Sequence, residues 1–425
     1  METVIKNLSK SKIEINVEQD PKELEAFLDG AAKNLSKDLE IKGFRKGNVP
    51  REIVERELGT SRLYEEAARL AIEQTYPKII FEKEIETASG PELEVIKLAP
   101  GNTFLWKVQV SIMPGVALAD YKKIAKEVSQ KEVRVEEKEI DEAIDWFRES
   151  RAKLVTVDRP AQKSDRVEID FEGRMNGLKL EGAESKNHPF ILGKGKFMPG
   201  FENEIEGMKA GDVKEFSLKA PDDYYIVNLR GKIIDFKVKI DLVQKREISE
   251  ANDEFAKSLG EFRDLGALKE SLREGIIMEK NVKEKERRRL EIIEKVAQKS
   301  EVEIPVALVD KEVEKMIDEL KNSLSSTGVN FEEYLVKIKK RQDDLRKEIR
   351  SQAEKRVKFA LCLKEIAKKE DIKATEEEIK EKTDEFLKQF ETLKEAKNSI
   401  DEKDLRWYAT GIVKNEKVFK LLEAS

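Results

Sequence analysis

The 425-residue sequence predicts an α+β multidomain protein, in which a mixed α+β region, a small β-rich region and a long all-helical stretch follow one another. Three observations carry this. Glycine is frequent between about residues 165 and 243 (Gly173, Gly177, Gly182, Gly193, Gly195, Gly200, Gly207, Gly211 and Gly231), whereas the chain from about 245 onward has one proline, Pro305, and few glycines. Gly and Pro punctuate strands and turns, so the middle reads as sheet and the last part as helix. Apolar residues alternate in segments of the first two regions and recur at helical spacing in the last. Charged residues make up 40% of the chain and aromatics 7%, which permits disorder, long helices or far more surface than a sphere has.

The elements follow in order. Ser11–Val17 alternates as a half-buried strand does. Asp20-Pro21 opens a helix with Leu24, Phe27, Leu28 and Ala31 on one face, proline being favoured in a first turn. A basic loop, Lys42-Gly43-Phe44-Arg45-Lys46-Gly47-Asn48-Val49-Pro50, precedes a helix from about Thr60 to Ile79 and a strand over Thr103–Ile112. Met113–Tyr121 is extended, Glu136–Lys153 is a helix with Ile140, Ala143, Ile144 and Phe147 on one side, and Asp158–Ser164 is a linker. The middle region has strands at Val167–Glu172, Val213–Leu218 and Asp235–Leu242 around a short helix, Phe201–Gly207. Farther on, Leu268, Leu272 and Ile276 share a helix face, as do Leu290, Ile293 and Val296. Glu279–Arg289 between them has only Val282 as an apolar residue, so this helix is solvated mid-way and bridges two packing sites. Val306, Val309, Val313 and Ile317 give another helix, and Leu345, Ile349, Ala353 and Val357 the next. Thr375–Glu378 is a capping box leading Ile379, Phe386 and Phe390, and Leu405, Tyr408, Ile412 and Phe419 mark the last helix.

The composition excludes several chemistries. One Cys, Cys362, and one His, His188, rule out a disulfide framework, Cys/His zinc sites and His-based triads. No metal and no cofactor is expected. No phosphate-binding loop is present, and Gly193-Lys-Gly195 lacks the third glycine of a dinucleotide fingerprint. Asp222-Asp223 reads as a solvated turn. No run approaches about 18 apolar residues, so no membrane span is expected. The first residues, Met1–Lys6, lack a signal-peptide layout, so the expected location is cytoplasmic. The basic loop is the specific signal: an aromatic beside two cations suits an RNA–protein surface, and a solvated turn with Phe44 tucked into the core is the alternative.

Gly43-Phe-Arg-Lys-Gly-Asn-Val-Pro50 resembles the ribosome-binding signature of the trigger factor family of bacterial ribosome-associated chaperones. Met113–Tyr121, Asp253–Gly260 and Ile304–Val309 resemble further landmarks of that family, so the resemblance runs over nearly the whole chain. It implies ribosome contact beside the polypeptide exit tunnel, with ribosomal protein and rRNA, through Gly43, Phe44, Arg45, Lys46, Gly47 and Pro50. Asn48 stands where many members carry a lysine, and the loss of that cation implies either weaker affinity or a shift of load to Lys42 and Arg51. Val167–Gly173, Gly193–Phe201, Gly207–Gly211 and Pro221–Tyr224 resemble an FKBP-type prolyl isomerase. That resemblance implies a proline pocket of Phe171, Glu181, Met198, Phe201, Tyr224 and Phe236. Leu180 and His188 fall where aromatics are usual, so the implied isomerase activity is modest, and His188 reads as a partly exposed loop residue.

The implied organisation is a ribosome-binding domain at 1–112, a connecting first part of the helical domain at 113–150, an FKBP-like domain at 151–243 and a helical chaperone domain at 244–425. The helical domain is then discontinuous, with arms, and the molecule elongated. The implied function is ATP-independent holding of nascent and unfolded chains, together with X-Pro isomerisation. Surplus apolar residues on the helices would form the holding patches. A homodimer off the ribosome stays open. Two rivals are a free-standing FKBP-type isomerase and a helical scaffold protein.

Overall fold

The computed structural model describes all residues except 9–10, 38, 41–43, 196, 225, 227–228 and 391–401, and the side chains of 181, 389 and 390. It divides into two units, one of Met1–Gln130 with Lys285–Ser425, the other of Lys131–Glu284.

The first unit begins with strands β1 (Glu2–Asn7) and β2 (Lys12–Gln19) and helices α1 (Pro21–Glu25), α2 (Leu28–Leu35), α3 (Arg51–Leu58) and α4 (Thr60–Glu82). Strands β3 (Glu92–Lys97) and β4 (Phe104–Ser111) complete an antiparallel sheet of order β1-β2-β4-β3. Alternation decides which face is covered. Ile13, Ile15 and Val17 of β2 and Phe104, Trp106, Val108 and Val110 of β4 pack on Leu24, Leu28, Val54, Leu63, Ala67 and Ala71 of the helices. Gln19 is buried on that face because its amide accepts from Trp106 Nε1 and donates to Thr75 Oγ1, both at 3.2 Å. The single helix predicted from Asp20 is two, since Phe27 lies between α1 and α2 in a turn. Strands β1 and β3 and helix α3 are absent from the sequence prediction. The first two are edge strands whose residues are mostly exposed, so burial imposes no alternation on their sequence.

A two-residue strand β5 (Val116–Ala117) and helix α5 (Tyr121–Glu127) follow. In the second unit, α6 (Glu137–Ser150) leads into β6 (Lys153–Thr156), β7 (Arg166–Met175), β8 (Leu178–Ile191), α7 (Phe201–Ile205), β9 (Val213–Lys219), β10 (Ile233–Glu247) and α8 (Asp253–Leu259). The sheet order is β6-β10-β7-β8, with β9 also on β10. Because β10 pairs with β7 over Asp235–Gln244, strands β9 and β6 share its other edge. Val167, Ile169, Ile234, Val238 and Ile240 face α7, whose Phe201 and Ile205 are fully buried. Strand β8, unpredicted, has its alternation broken by register shifts against β7. The Asp158–Ser164 segment has no regular element and is held down. Ala161 exchanges backbone hydrogen bonds with Gly207 and Met208, and the Arg159 guanidinium grips the buried Asp165 carboxylate at 2.7 and 3.0 Å.

Helix α9 (Leu265–Lys299) contributes to two cores. Leu268, Leu272 and Ile276 pack with Ile140 and Ile144 of α6 and Phe255 of α8. Ile292, Ile293, Val296 and Ala297 pack with Tyr121 and Ile124 of α5 and, farther along the chain, with Cys362, Ile366, Val418 and Leu422. The expected bridging helix is therefore present, with two corrections. Glu284, mid-way, is buried and accepts from the Lys131 N–H at 2.7 Å, and Leu290 is exposed while Ile292 takes the inward position. The remaining elements are β11 (Glu301–Val302), paired with β5, and α10 (Val306–Ser326), α11 (Phe331–Lys337), α12 (Gln342–Lys369), α13 (Glu376–Phe390) and α14 (Glu402–Ala424). Val309, Val313 and Ile317 of α10 face Leu345, Ile349 and Ala353 of α12 as the periodicity predicts, while Val306 is exposed. The capping box forms, with Thr375 N–H donating to Glu378 at 2.8 Å and Glu378 N–H donating to Thr375 Oγ1 at 3.3 Å. On α14 the buried positions are Ala409, Val418 and Leu422, and Tyr408 is exposed, so the predicted stripe is rotated. Ala409 was passed over because alanine carries little periodic signal.

Candidate functional sites

The basic loop lies between α2 and α3. Phe44 is 41% exposed, so it is not tucked into the core. Arg45 and Lys46 are exposed beside it. The loop is held by its downstream end. Gly47, at φ +83°, donates to the Ser36 carbonyl at 3.0 Å, a conformation L side chains rarely adopt. Asn48 N–H closes a turn on the Arg45 carbonyl at 2.9 Å. Val49 is buried, and Pro50 caps α3 in the extended conformation a proline supplies. Lys46 Nζ pairs with Glu40 at 2.7 Å, and Arg51 is 4.0 Å from Asp29. Both pairs are solvent-exposed and weak, so a phosphate can displace the carboxylates. Lys42 and Gly43 lie outside the described residues.

The second site is an aromatic cluster between α7 and the inner face of the five-stranded sheet. Phe171 comes from β7, Phe201 from the start of α7 and Phe236 from β10. The Phe201 ring meets Phe171 at 6.2 Å, Phe216 at 5.4 Å and Phe236 at 5.1 Å, all edge-on. Such pairs are favoured by the ring quadrupole. Met198 and Phe236 are 5% and 8% exposed, Phe201 is 0% exposed, and Phe171 and Tyr224 are half-buried. Four of the predicted pocket residues, Phe171, Met198, Phe201 and Phe236, thus belong to one apolar cluster, and Tyr224 packs at its margin. The Tyr224 carbonyl accepts from Arg230 Nε at 2.7 Å, which holds the turn in place. The Glu181 side chain lies outside the described residues.

Close approach keeps the cluster tight. Gly173 pairs with Phe236, and a Cβ placed on it would lie 2.9 Å from the Ala183 Cβ and 3.3 Å from Phe236 Cε1. Leu180 is half-buried against the cluster. His188 is a strand residue of β8 opposite Ile169, not a loop residue. It is half-buried, with its ring edge-on to Phe171 at 5.7 Å and Phe197 at 5.5 Å, so it fills an aromatic role. Sequence reasoning passed over Phe197 and Phe216. The alternation of β9 could have found Phe216, since it sits directly opposite Phe236 in the register. A cavity of about 570 Å³ is bounded by Phe171 of the cluster together with Lys179, Glu184, Lys186, Lys237 and Lys239. Apolar rings and carbonyls can grip a small ring and a neutral amide. Apart from the His188 imidazole and the Tyr224 phenol, the described side chains of the cluster are apolar.

Apolar residues also stand exposed on the helices: Trp407 at 79%, Val336 at 77% and Met278 at 69%. Among the described residues no helix is long and apolar enough to cross a membrane. Among them, too, no group of His, Cys, Asp and Glu is placed to hold a metal ion.

Comparison with known proteins gives consistent matches. Residues 1–147 match the family model described as bacterial trigger factor protein, 264–423 that of its C-terminus, and 157–241 that of FKBP-type peptidyl-prolyl cis-trans isomerase. Trigger factor of Caldicellulosiruptor saccharolyticus is 33% identical over 98% of this chain and 95% of its own. That of Carboxydothermus hydrogenoformans is 36% identical over 89% of this chain and 88% of its own. A solved structure described as "Promiscuous Substrate Recognition in Folding and Assembly Activities of the Trigger Factor Chaperone" is 25% identical, covers 100% of both chains and has a TM-score of 0.52.

Proposed function

The chain belongs to the trigger factor family, and from that premise we propose how its residues divide the work. The family-level function is a ribosome-associated molecular chaperone carrying a peptidyl-prolyl cis–trans isomerase domain. We assign ribosome docking to the domain of residues 1–112, at the mouth of the polypeptide exit tunnel and on both ribosomal protein and rRNA. Phe44 packs or stacks there while Arg45 and Lys46 meet phosphate. The observation that carries this is an exposed aromatic side chain followed by two exposed cations, on a loop whose downstream end is anchored by Val49 and Gly47. Gly47 and Pro50 shape the loop, and Gly43 is assigned to the docking surface by resemblance alone. The protein works in the cytoplasm, without ATP, and holds nascent or unfolded chains on exposed apolar patches of 113–150 and 244–425.

Residues 151–243 form the isomerase domain. Its pocket is Phe171, Met198, Phe201, Tyr224 and Phe236, and Glu181, whose side chain lies outside the described residues, is assigned to it by resemblance alone. Isomerisation breaks no bond. Its barrier of about 18–20 kcal/mol comes from amide resonance, and the uncatalysed step takes tens to hundreds of seconds. The planar amide is more polar than the twisted one. An apolar pocket gripping the proline ring therefore favours the twisted transition state. Half-buried Leu180 gives the pocket one ring fewer than an all-aromatic wall, which supports a modest rate.

The deciding experiment is cosedimentation with ribosomes of the wild type and a Phe44→Ala, Arg45→Ala double variant. Loss of binding in the variant is expected; retained binding overturns the docking assignment and favours a free-standing isomerase.

A further inference from the structure

The floor of the proposed prolyl pocket is covered by the protein itself. Phe201 is 0% exposed, so no ligand can touch it in this conformation. The covering group is Phe197, whose ring lies flat on Phe201 with centroids 4.4 Å apart and planes 10° apart. Its edges are closed by Phe171 at 5.4 Å, His188 at 5.5 Å and Phe190 at 4.8 Å. Those are the contacts a small apolar ring would make if it were seated on Phe201. Phe197 is also half-buried where Phe201 is sealed, so it is the member of the pair that reaches solvent. Gly195 at φ +67° and Gly200 at φ +93° flank it in sequence, two positions where the backbone has unusual freedom.

We propose that Phe197 occupies the prolyl seat of its own isomerase pocket, and that a substrate proline binds only after this ring swings out. Phe197 is then a positioning residue that sets substrate affinity through the fraction of molecules with an open seat. The proposal rests on the aromatic cluster being the prolyl site. Apparent affinity is the intrinsic affinity multiplied by the open fraction. Removing the competing ring should therefore tighten binding by about 3- to 10-fold, the range expected from losing one favourable aromatic pairing. An ordinary wall residue has the opposite signature, since its truncation loses contacts with substrate and weakens binding.

The test uses the full-length protein and a prolyl tetrapeptide, with Kd from NMR titration and kcat and KM from cis–trans exchange. Phe197→Ala should lower Kd and KM together about 3- to 10-fold and change kcat less. Phe197→Leu, which keeps apolar bulk but cannot lie flat on Phe201, should give a smaller decrease in the same direction. It decides the matter if Phe197→Ala does not fold. Unchanged or raised Kd in the folded variant overturns the proposal. Tyr224→Ala separates the two levels of the argument. If it lowers both binding and rate while Phe197→Ala fails to tighten binding, the seat is the prolyl site and the plug is wrong. If Tyr224→Ala leaves both unchanged, the site assignment itself falls, and the plug falls with it.

Discussion

Adding one methyl group at Gly173 should damage the isomerase domain and leave the N-terminal sheet alone. Gly173 sits on β7 between Phe236 of β10 and Ala183 of β8. A Cβ there would lie 2.9 Å from Ala183 Cβ, 3.3 Å from the Ala183 carbonyl oxygen and 3.3 Å from Phe236 Cε1. Two of these neighbours belong to a strand backbone or its Cβ, and the third is a ring braced at 5.1 Å by Phe201. None is the free end of a flexible side chain, so the strands must part. Overpacking of this kind costs about 1–3 kcal/mol. A chain with two units does not unfold in one step, so local opening is the right observable. Hydrogen exchange of peptides from 166–191 should accelerate about 5- to 150-fold, the equivalent of that cost, with no change in 104–111. Turnover of a prolyl peptide should fall because Phe236 is displaced. The double-mutant cycle with Ala183→Gly sharpens the test. That change removes the 2.9 Å contact and leaves the other two, so Gly173→Ala should cost less in the Ala183→Gly background. Equal cost in both backgrounds, or no cost in either, would refute the reasoning.

Other expectations are as direct. The Lys417 ammonium, at 2.6 Å, and the Thr375 backbone N–H hold the Glu378 carboxyl at a pKa of about 2 against an ordinary 4.5. Stabilisation from this group is therefore complete above pH 4.5 and disappears as pH falls toward 2. Acid titration followed by hydrogen exchange should show α13 and α14 loosening in that window, and Glu378→Gln should remove this dependence. Arg289 grips Glu416 at 2.7 and 2.8 Å, also bonds Glu423, and lies over the Phe419 ring at 5.1 Å. Arg289→Met should cost about 2–3 kcal/mol, the scale of lost charged hydrogen bonds, read as faster exchange across α14. Ribosome binding by the wild type should weaken steeply between low and moderate salt, because it releases counterions from rRNA. Arg45→Ala should flatten that slope, whereas Phe44→Ala should lower affinity and leave the slope unchanged.

Local rules made the covered elements legible. Strands β2, β4, β7 and β10 were visible because one face of each is buried, which forces alternation on the sequence. Edge strands β1 and β3 carry no such constraint, and β8 is bulged, so all three were silent. Helices α10 and α12 were placed by their periodicity because each has one packing partner. On helix α14 the stripe read from the sequence is rotated rather than misplaced, since Phe419 does pack on the core while alanine at 409 is invisible to a hydrophobic pattern. For the sites, resemblance located the loop and the rings. Whether Phe44 points into solvent was a matter of tertiary packing that its neighbours could not decide. Composition could not separate Phe197 from its neighbours either, because its place on top of Phe201 depends on how a glycine-bracketed loop folds back. His188 reads as a loop residue in the sequence because the register shifts of β8 break the alternation that would mark its strand.

The discontinuous first unit also sets an order of events during synthesis. Its core joins Tyr121 and Ile124 to Ile292, Cys362 and Leu422, so it cannot close until Leu422 has emerged. The Lys131–Glu284 unit is one uninterrupted stretch and can fold well before that. Once folded, it holds its own two ends and takes most of the intervening residues out of the loop that must later close, which lowers the entropic cost of joining the early and late segments. A protein that attends other chains at the ribosome is thus itself a late finisher. The loop around Phe44, proposed to dock, is made long before the core that joins Tyr121 to Leu422 can close.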